Sequence, residues 1–362
     1  MLVAGVARLV LGDQYGMILK EDGSVWSTAI MSGGLSKHFV LAIPSDAKAV
    51  AAGTGFSMVI KRGGSVWAIG RNSKGQLGDG TKHKRGTFCF VQVIVGAKAI
   101  AAGGYHSMVL TQQGEVWATG WNKYGQLGDP SFTAYTSRFF VVMSQGGEAV
   151  TLGDMHSMVT KQDRSVWATG RNDHGQLGDG SNTDRSSFVK VVSSGAADVA
   201  AGGYHSIVLK QDGSLWATGL NEHGQLGDGS TIDRNHYAQV VSSGVKAVAA
   251  GRRHTMMLGT DGSVWTTGYN RNGQLGAGWR TTSRTEFVKV IADGAKTIAA
   301  GGSHSMVLKE DGSIWATGSN EAGQFGDGST TSRKIFARLA PLHNGSKHSY
   351  SNMGEPVCTR NH

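Results

Sequence analysis

Five histidines recur at matching places along the chain, and their type and spacing suggest chemistry. Each lies three residues after a glycine and directly before Ser or Thr: His106, His156, His205, His254 and His304. Imidazole can bind a metal ion or act as a general base, and a hydroxyl can act as a nucleophile. A zinc ion, however, needs ligands that converge to about 2.0–2.3 Å, whereas equivalent positions of repeated units diverge around an axis.

The neighbouring hydroxyls do not rescue a catalytic interpretation. Adjacent residues on a strand point to opposite faces, so a His-Ser pair such as His106-Ser107 cannot act as base and nucleophile. We therefore predict that the five histidines are structural, with each imidazole satisfying backbone groups at a strand entrance. We expect no catalytic residue, no metal and no cofactor, and thus no enzyme.

The histidines belong to a repeat that is marked by seven tryptophans. Successive tryptophans are 41, 50, 50, 49, 49 and 50 residues apart: Trp26, Trp67, Trp117, Trp167, Trp216, Trp265 and Trp315. This period is typical of propeller blades. Burial of one such side chain contributes about 2–3 kcal/mol, so we predict that these tryptophans are structural and hold the blades together.

Each repeat contains four short apolar runs. In residues 188–234 they read FVKVV, DVAAG, SIVLKQ and SLWATG. Short runs rich in Val, Ile and aromatic residues, bounded by turn residues, predict strands. Asp-Gly between the last two runs predicts a tight hairpin, and Asp163-Arg164 in the fourth repeat predicts a slightly different turn. The fold class is therefore all-β: a seven-bladed β-propeller of four-stranded antiparallel blades.

A longer link, Gly-x-Asn-x-x-Gly-Gln-Leu-Gly-Asp-Gly, follows the tryptophan run, for example from Gly170 to Gly180. Because connections within a blade are short, we expect this link to lead to the next blade. The first strand of each blade then begins at Phe39, Cys89, Phe139, Phe188, Tyr237 or Phe287. Blade one lacks such a residue, and we predict that a C-terminal strand near Phe336 completes blade one and closes the ring.

The repeat resembles that of the regulator of chromosome condensation family. The resemblance rests on the long link and on five Gly-x-x-His-Ser/Thr elements, at residues 103–107, 153–157, 202–206, 251–255 and 301–305. It implies a seven-bladed propeller in a family whose members act as nucleotide exchange factors, photoreceptors, inhibitors or partner-binding domains. The wedge-like insertion of the family's exchange factor is absent from repeats two to seven. The chromophore tryptophan of the plant photoreceptor is also absent, since Arg252-Arg253 stands in the closest match.

Composition limits the remaining classes. The 362 residues include 55 Gly and 4 Pro, with 39% hydrophobic residues, which suits one closed domain with many turns. Because the repeat is lost after Pro341, we predict a single propeller domain over residues 1–341 and a flexible tail over residues 342–362. The net charge of +9 is scattered, so nucleic acid is not expected as a partner. Cys89 and Cys358 give no disulfide framework, and no apolar stretch suits a membrane. We expect a monomer in the cytoplasm, with a nuclear or secreted location left open.

Variation at fixed repeat positions indicates the functional surface. The two residues between Gly and His differ among repeats, as do the first residues of the long links. These positions supply our predicted partner-binding residues: Tyr105, Met155, Tyr204, Arg252, Arg253, Trp121, Tyr124 and Tyr269. Such side chains are typical of protein interfaces, although neutral variation on an exposed rim is the alternative for any one of them. Asp173-His174 and Glu222-His223 are interpreted as solvated loop residues.

The sequence therefore favours a non-enzymatic scaffold that presents this rim to a protein partner. The alternative is a guanine nucleotide exchange factor for a Ran-like small GTPase, which the family resemblance permits.

Overall fold

The computed structural model describes residues 5–30, 34–86, 91–131, 134–278 and 281–340. These residues form seven four-stranded antiparallel sheets and contain no helix. The predicted all-β, seven-bladed propeller is thereby confirmed. Within the same ranges, no helix is long and apolar enough to cross a membrane.

We number the sheets as blades one to seven along the chain. Four consecutive strands pair in sequence order in every blade. The innermost strands are β1 (Val6–Leu11), β5 (Ala47–Ala52), β9 (Ala97–Ala102), β13 (Gly147–Leu152), β17 (Ala196–Ala201), β21 (Val245–Ala250) and β25 (Ala295–Ala300). The second strands are β2 (Gly16–Lys20), β6 (Phe56–Lys61), β10 (His106–Thr111), β14 (His156–Lys161), β18 (His205–Lys210), β22 (His254–Gly259) and β26 (His304–Lys309).

The third strands carry the repeated tryptophans, and the fourth strands form the outer edges. The third strands are β3 (Val25–Ile30), β7 (Val66–Gly70), β11 (Val116–Trp121), β15 (Val166–Gly170), β19 (Leu215–Gly219), β23 (Val264–Tyr269) and β27 (Ile314–Gly318). The fourth strands are β4 (Gly34–Ile43), β8 (Val91–Ile94), β12 (Tyr135–Met143), β16 (Arg185–Val192), β20 (Arg234–Val241), β24 (Ser283–Ile291) and β28 (Arg333–Arg338).

Apolar side chains fill the space between neighbouring blades. Seven hydrophobic clusters occupy the seven interfaces, so both faces of every blade are buried. Between blades five and six, for example, Ile207 and Leu209 lie in one cluster with Val245 and Val248. This arrangement explains why the inner strands read as nearly continuous apolar runs rather than as strict alternation.

The sequence analysis predicted that the long link leads to the next blade, and the structure shows that it does not. It joins the third strand to the fourth strand of the same blade, and connectors of only two or three residues lead onward, such as residues 44–46 and 95–96. The prediction was wrong because the link folds across the next blade before it returns. Isolated bridges mark these crossings, for example Asp179 with His236 and Asp228 with Glu286.

The predicted ring closure is wrong for the same reason. The strand that contains Phe336 pairs with β27 and completes blade seven, while blade one contains four strands of its own, β1 to β4. Each aromatic residue assigned to a first strand therefore lies in a fourth strand, and Cys89, assigned to the same position, is outside the described residues. The ring closes where the link of blade seven contacts blade one: Gly328 N donates to the Lys37 carbonyl at 2.7 Å.

The links contact the next blade through glycine. Gly178 has φ +77°, and a Cβ there would lie 2.4 Å from the ring of Tyr237 in blade five, so a larger residue has no room. Within the link, Asp179 accepts from Arg185 Nε at 2.6 Å and from Asn172 Nδ2 at 3.0 Å. These bonds position the link rigidly over its neighbour.

The hairpin at Asp163-Arg164 does not form a different turn, contrary to expectation. Arg164 adopts φ 64°, and its N–H bonds to the Lys161 carbonyl at 2.9 Å, as the N–H of Gly213 bonds to Lys210 in blade five. A non-glycine residue in this region is disfavoured by about 1 kcal/mol, and the rest of the hairpin fixes it.

Strand direction gives the ring two distinct faces. The Gly-x-x-His turns and the long links lie on one face, which we call the link face. The Asp-Gly hairpins and the short connectors between blades lie on the opposite face, which we call the hairpin face.

Candidate functional site

The five histidines are fully buried, and four of them bond to the neighbouring blade. His106 Nε2 lies 2.8 Å from Ser157 Oγ, one blade further on, and Ser157 donates to the Gln126 carbonyl at 2.6 Å. Since the hydroxyl hydrogen goes to that carbonyl, Nε2 carries the imidazole hydrogen and donates it to Ser157. The contact is thus a hydroxyl of the next blade, rather than the backbone groups that the sequence analysis expected.

The same contact recurs around the ring. His156, His205 and His254 lie 2.9, 3.0 and 2.9 Å from the hydroxyls of Ser206, Thr255 and Ser305. Burial lowers the pKa of His106, His205 and His254 to about 3 and that of His156 and His304 to about 4. Neither ring nitrogen of His304 has a hydrogen-bond partner among the described residues, so only its burial fixes this imidazole. Neutral, buried imidazoles of this kind are structural elements.

Blades one and two use aromatic residues at the histidine position. Phe56 stands there in blade two and is buried. Tyr15 stands there in blade one, and its hydroxyl donates to the Phe56 carbonyl at 2.5 Å and lies 2.9 Å from Ser57 Oγ. The position therefore accepts a neutral ring of similar size, with or without a hydrogen bond.

The repeated tryptophans are half-buried and pack against the clusters between blades, as Trp26 and Trp315 do. The indole Nε1 of Trp216 donates to Ser214 Oγ at 2.9 Å, and Lys210 Nζ lies 4.1 Å from the ring centroid. Both polar contacts come from residues of the same hairpin. Trp279 is not one of the repeated tryptophans and lies outside the described residues.

No group of three or more His, Cys, Asp or Glu side chains in the described ranges could hold a metal ion.

The variable residues form a different kind of arrangement on the link face. Aromatic rings and cationic groups from neighbouring blades contact one another across blades two to six. We call this set the aromatic–cation belt, and its members are Arg71, Lys74, Tyr105, Trp121, Lys123, Tyr124, Met155, Arg171, His174, Tyr204, His223, Arg253 and Tyr269.

The first group of belt contacts runs from blade two to blade five. The Tyr105 and Trp121 rings pack edge to face with centroids 5.6 Å apart, and Trp121 packs against Tyr124 at 5.7 Å. The Arg171 guanidinium then lies between two rings, 5.0 Å from Tyr124 and 5.1 Å from Tyr204. Arg71 of blade two lies 5.6 Å from the Tyr105 centroid, so these contacts together join four blades into one half-exposed surface.

The second group covers blades five and six. The rings of His223 and Tyr269 lie 4.6 Å apart, and Arg253 Nη1 is 3.3 Å from His223 Nε2. Arg253 also approaches Glu222 at 3.4 Å. Burial lowers the pKa of His223, Glu222 at 3.3 Å opposes this effect, and Arg253 adds to it. The net lowering favours a neutral imidazole that can accept a hydrogen bond from the guanidinium.

The belt surrounds a small axial cavity of roughly 110 Å³ on the ring axis. Glycine and alanine make up most of its lining, and its charged lining residues are Asp13, Asp154 and Arg252. Arg252 Nε lies 3.2 Å from Asp154 Oδ2. Burial raises the pKa of Asp154, and the attraction of Arg252 only partly offsets this effect.

The structure brings together seven of the eight predicted partner-binding residues, all except Arg252. Arg252 turns to the axis and pairs with Asp154. Asp173 and Glu222 are exposed loop residues, as interpreted from the sequence, and each also forms an ion pair, Asp173 with Arg171 at 2.6 Å and Glu222 with Arg253 at 3.4 Å. Lys74, 5.4 Å from the Trp121 centroid, was missed. Its repeat position is held by residues as different as Tyr124, His174 and Ala322, and this variation is the signal that could have identified it.

Models of a known repeat family match the repeats of this chain. One model of the regulator of chromosome condensation (RCC1) repeat matches residues 63–110, 163–209, 212–258 and 261–308. A second model of that repeat matches residues 47–76, 97–126, 196–225, 245–274 and 295–324. No curated protein sequence matches the chain significantly.

Solved structures share the fold at low sequence identity. Human WBSCR16 is 22% identical with a TM-score of 0.76, covering 88% of this chain and 93% of its own. Yeast RCC1 (Prp20), solved bound to Kap60, is 19% identical with a TM-score of 0.77, covering 88% and 83%. Prp20p of Saccharomyces cerevisiae, described with its binding properties to Gsp1p and histones, is 20% identical with a TM-score of 0.76, covering 88% and 85%. The repeat matches span more than half of this chain, which belongs to the regulator of chromosome condensation (RCC1) repeat family.

Proposed function

We propose that this protein is a non-enzymatic interaction module that binds a protein partner on its link face through the aromatic–cation belt. One observation carries the proposal: rings and cations from five blades contact one another on a single face. The hydrophobic clusters between blades hold these blades in place. A partner would therefore meet a preorganised surface, which reduces the entropic cost of binding.

The belt has the composition of an energetically important interface. Tyr, Trp and Arg dominate binding hot spots because they combine large apolar area with directed polar groups. Tyr105, Trp121, Tyr124 and Tyr204 are half-buried by one another, so they lose little rotamer freedom when a partner covers them. A purely structural role would not require these rings to differ between repeats.

Similar structures make a protein partner a reasonable class. Prp20 is described with Kap60 and, separately, with Gsp1p and histones, all of which are proteins. Those partners belong to Prp20. The low identity carries the fold alone to this chain, so the partner must be identified by experiment.

The test is partner capture with matched variants on the two faces. Wild-type protein, Tyr204→Ala, Arg253→Ala and the control Val95→Ala are used as bait in extract from the source cells. Val95 is 63% exposed in a connector of the hairpin face. We expect proteins bound by wild type to be retained by the control and lost with both belt variants. Equal capture by all four baits would refute the proposal.

Enzymatic exchange activity is tested separately. Release of labelled nucleotide from a Ran-like GTPase is measured with and without the wild-type chain. We expect no acceleration. Accelerated release that depends on the belt would replace the non-enzymatic proposal with exchange activity.

A further inference from the structure

The link of blade two is the most basic of the links, followed by the link of blade six, residues 269–284, which has a net charge of +3. Residues 71–85 contain five cations and one carboxylate, a net charge of +4. The corresponding links of blades four and five, residues 171–185 and 220–234, have net charges of −1 and −2. The highest concentration of positive charge on the link face therefore lies at blade two.

The cations at this side are also not neutralised. Asp79, the carboxylate in the link of blade two, binds Arg85 at 2.5 Å. Arg71, Lys74 and Lys123 have no carboxylate within salt-bridge distance among the described residues.

Elsewhere on the link face, three arginines near the belt have acidic partners, whereas Arg271 in the link of blade six has none among the described residues. Arg171 pairs with Asp173 at 2.6 Å, Arg252 with Asp154 at 3.2 Å and Arg253 with Glu222 at 3.4 Å. The unneutralised positive charge of the belt thus lies on blades two and three.

Aromatic rings hold these cations in place. Arg71 lies 5.6 Å from the Tyr105 centroid, and Lys123 lies 5.4 Å from that of Tyr124. At the outer edge of the same link, Lys82 Nζ is 4.7 Å from the Tyr135 centroid and donates to its hydroxyl at 3.0 Å. A ring attracts a cation without cancelling its charge, so each group is positioned and still able to bind a carboxylate.

The same geometry disfavours nucleic acid. Binding of single strands needs free ring faces on which bases can stack. Here the faces of Tyr105, Trp121 and Tyr124 are approached by cations, and the rings meet one another edge to face. Carboxylate groups, which need the cations and not the ring faces, fit this surface better.

We propose that Arg71, Lys74, Lys82 and Lys123 form a docking site for an acidic linear segment of the partner protein, a run rich in Asp and Glu. We call these four residues the basic corner. This inference rests on the proposed function and adds the chemistry of the partner. Because the site is exposed, its attraction for such a segment should depend strongly on salt.

The test measures binding of a fluorescein-labelled oligoglutamate peptide by fluorescence anisotropy. Wild type is compared with the double variant Arg71→Gln/Lys74→Gln and with the control Lys246→Gln/Lys296→Gln. The control removes the same charge from two exposed lysines at the hairpin-face ends of β21 and β25. Melting temperatures of all three proteins establish that each is folded.

We expect the corner variant to bind oligoglutamate roughly 3–10-fold more weakly than wild type, while the control binds normally. Raising the salt from ~0.05 M to ~0.5 M should abolish the difference. Equal weakening by both variants would show a nonspecific effect of net charge and overturn the inference. Tighter binding of a labelled oligothymidine, lost with the corner variant, would also overturn it in favour of nucleic acid.

Partner capture separates this inference from the proposed function. If Tyr204→Ala loses the partner but the corner variant retains it, the acidic-segment inference fails and the interaction module stands. If Tyr204→Ala and Arg253→Ala retain all partners while the corner variant loses oligoglutamate, the corner is an anion site and the proposed function fails.

Discussion

Acid should destabilise this propeller through its buried histidines. The pKa of each is lowered to about 3 or 4 in the folded protein, whereas an unfolded histidine titrates near ~6.5. Below that value the unfolded chain binds protons that the folded chain cannot bind. The stabilisation is therefore complete above the unfolded pKa and is lost as the pH falls toward the folded pKa.

The magnitude follows from the unfolded pKa and depends little on the folded value, provided that the latter is near 4 or below. Lowering the pH from ~7.5 to ~5.5 should reduce the free energy of unfolding by about 1.3 kcal/mol per buried histidine. Five equivalent residues would together remove about 6–7 kcal/mol, comparable to the whole stability of many domains.

The assay is urea denaturation at the two pH values, for wild type and for His205→Phe. Phenylalanine is a suitable replacement because Phe56 holds the same position in blade two. The variant loses the bond to Thr255 and is less stable at neutral pH, but its pH-dependent loss should be smaller than that of wild type by about 1.3 kcal/mol. An identical loss in the two proteins would refute the assignment of neutral, buried histidines as the source of acid sensitivity.

Two further predictions test the ring. Phe336→Ala should lower the free energy of unfolding by about 3–5 kcal/mol, because Phe336 is buried between blades six and seven. The control is its neighbour Ile335, which is 62% exposed. Ile335→Ala should change the free energy of unfolding by less than about 0.5 kcal/mol. Chemical denaturation measures both, and similar small losses would contradict the assignment of β28 to blade seven. Ala277→Asp should raise the melting temperature, because blade six lacks the link carboxylate and Arg284 Nε is buried without a partner; an unchanged or lower value would contradict the role of that carboxylate in the other links.

The sequence predicted the strands and the architecture because those features are local. Apolar runs, Asp-Gly hairpins and the tryptophan period each report on a few consecutive residues. The assignment of strands to blades failed because it relied on link length. The link of residues 171–184 is long because it folds over Tyr237 of blade five. No short stretch of sequence reports this contact between blades.

The candidate site could likewise be predicted only in part. Variation at fixed positions identified Tyr105, Trp121, Tyr204 and Tyr269, since it marks where packing does not fix the residue. Which of these would meet could not be predicted, because Arg171 reaches both Tyr124 and Tyr204 only in the assembled ring. The removal of Arg252 to the axis depends on Asp154, two blades away.

Site-specific photo-crosslinking shows directly whether the link face binds the partner. A photoreactive phenylalanine replaces Tyr204 or Tyr269 on the belt, and Val95 or Lys246 on the hairpin face, in protein exposed to extract from the source cells. We expect a discrete crosslinked partner from the two belt positions and none from the hairpin face. Crosslinks that form only from Val95 or Lys246 would contradict it.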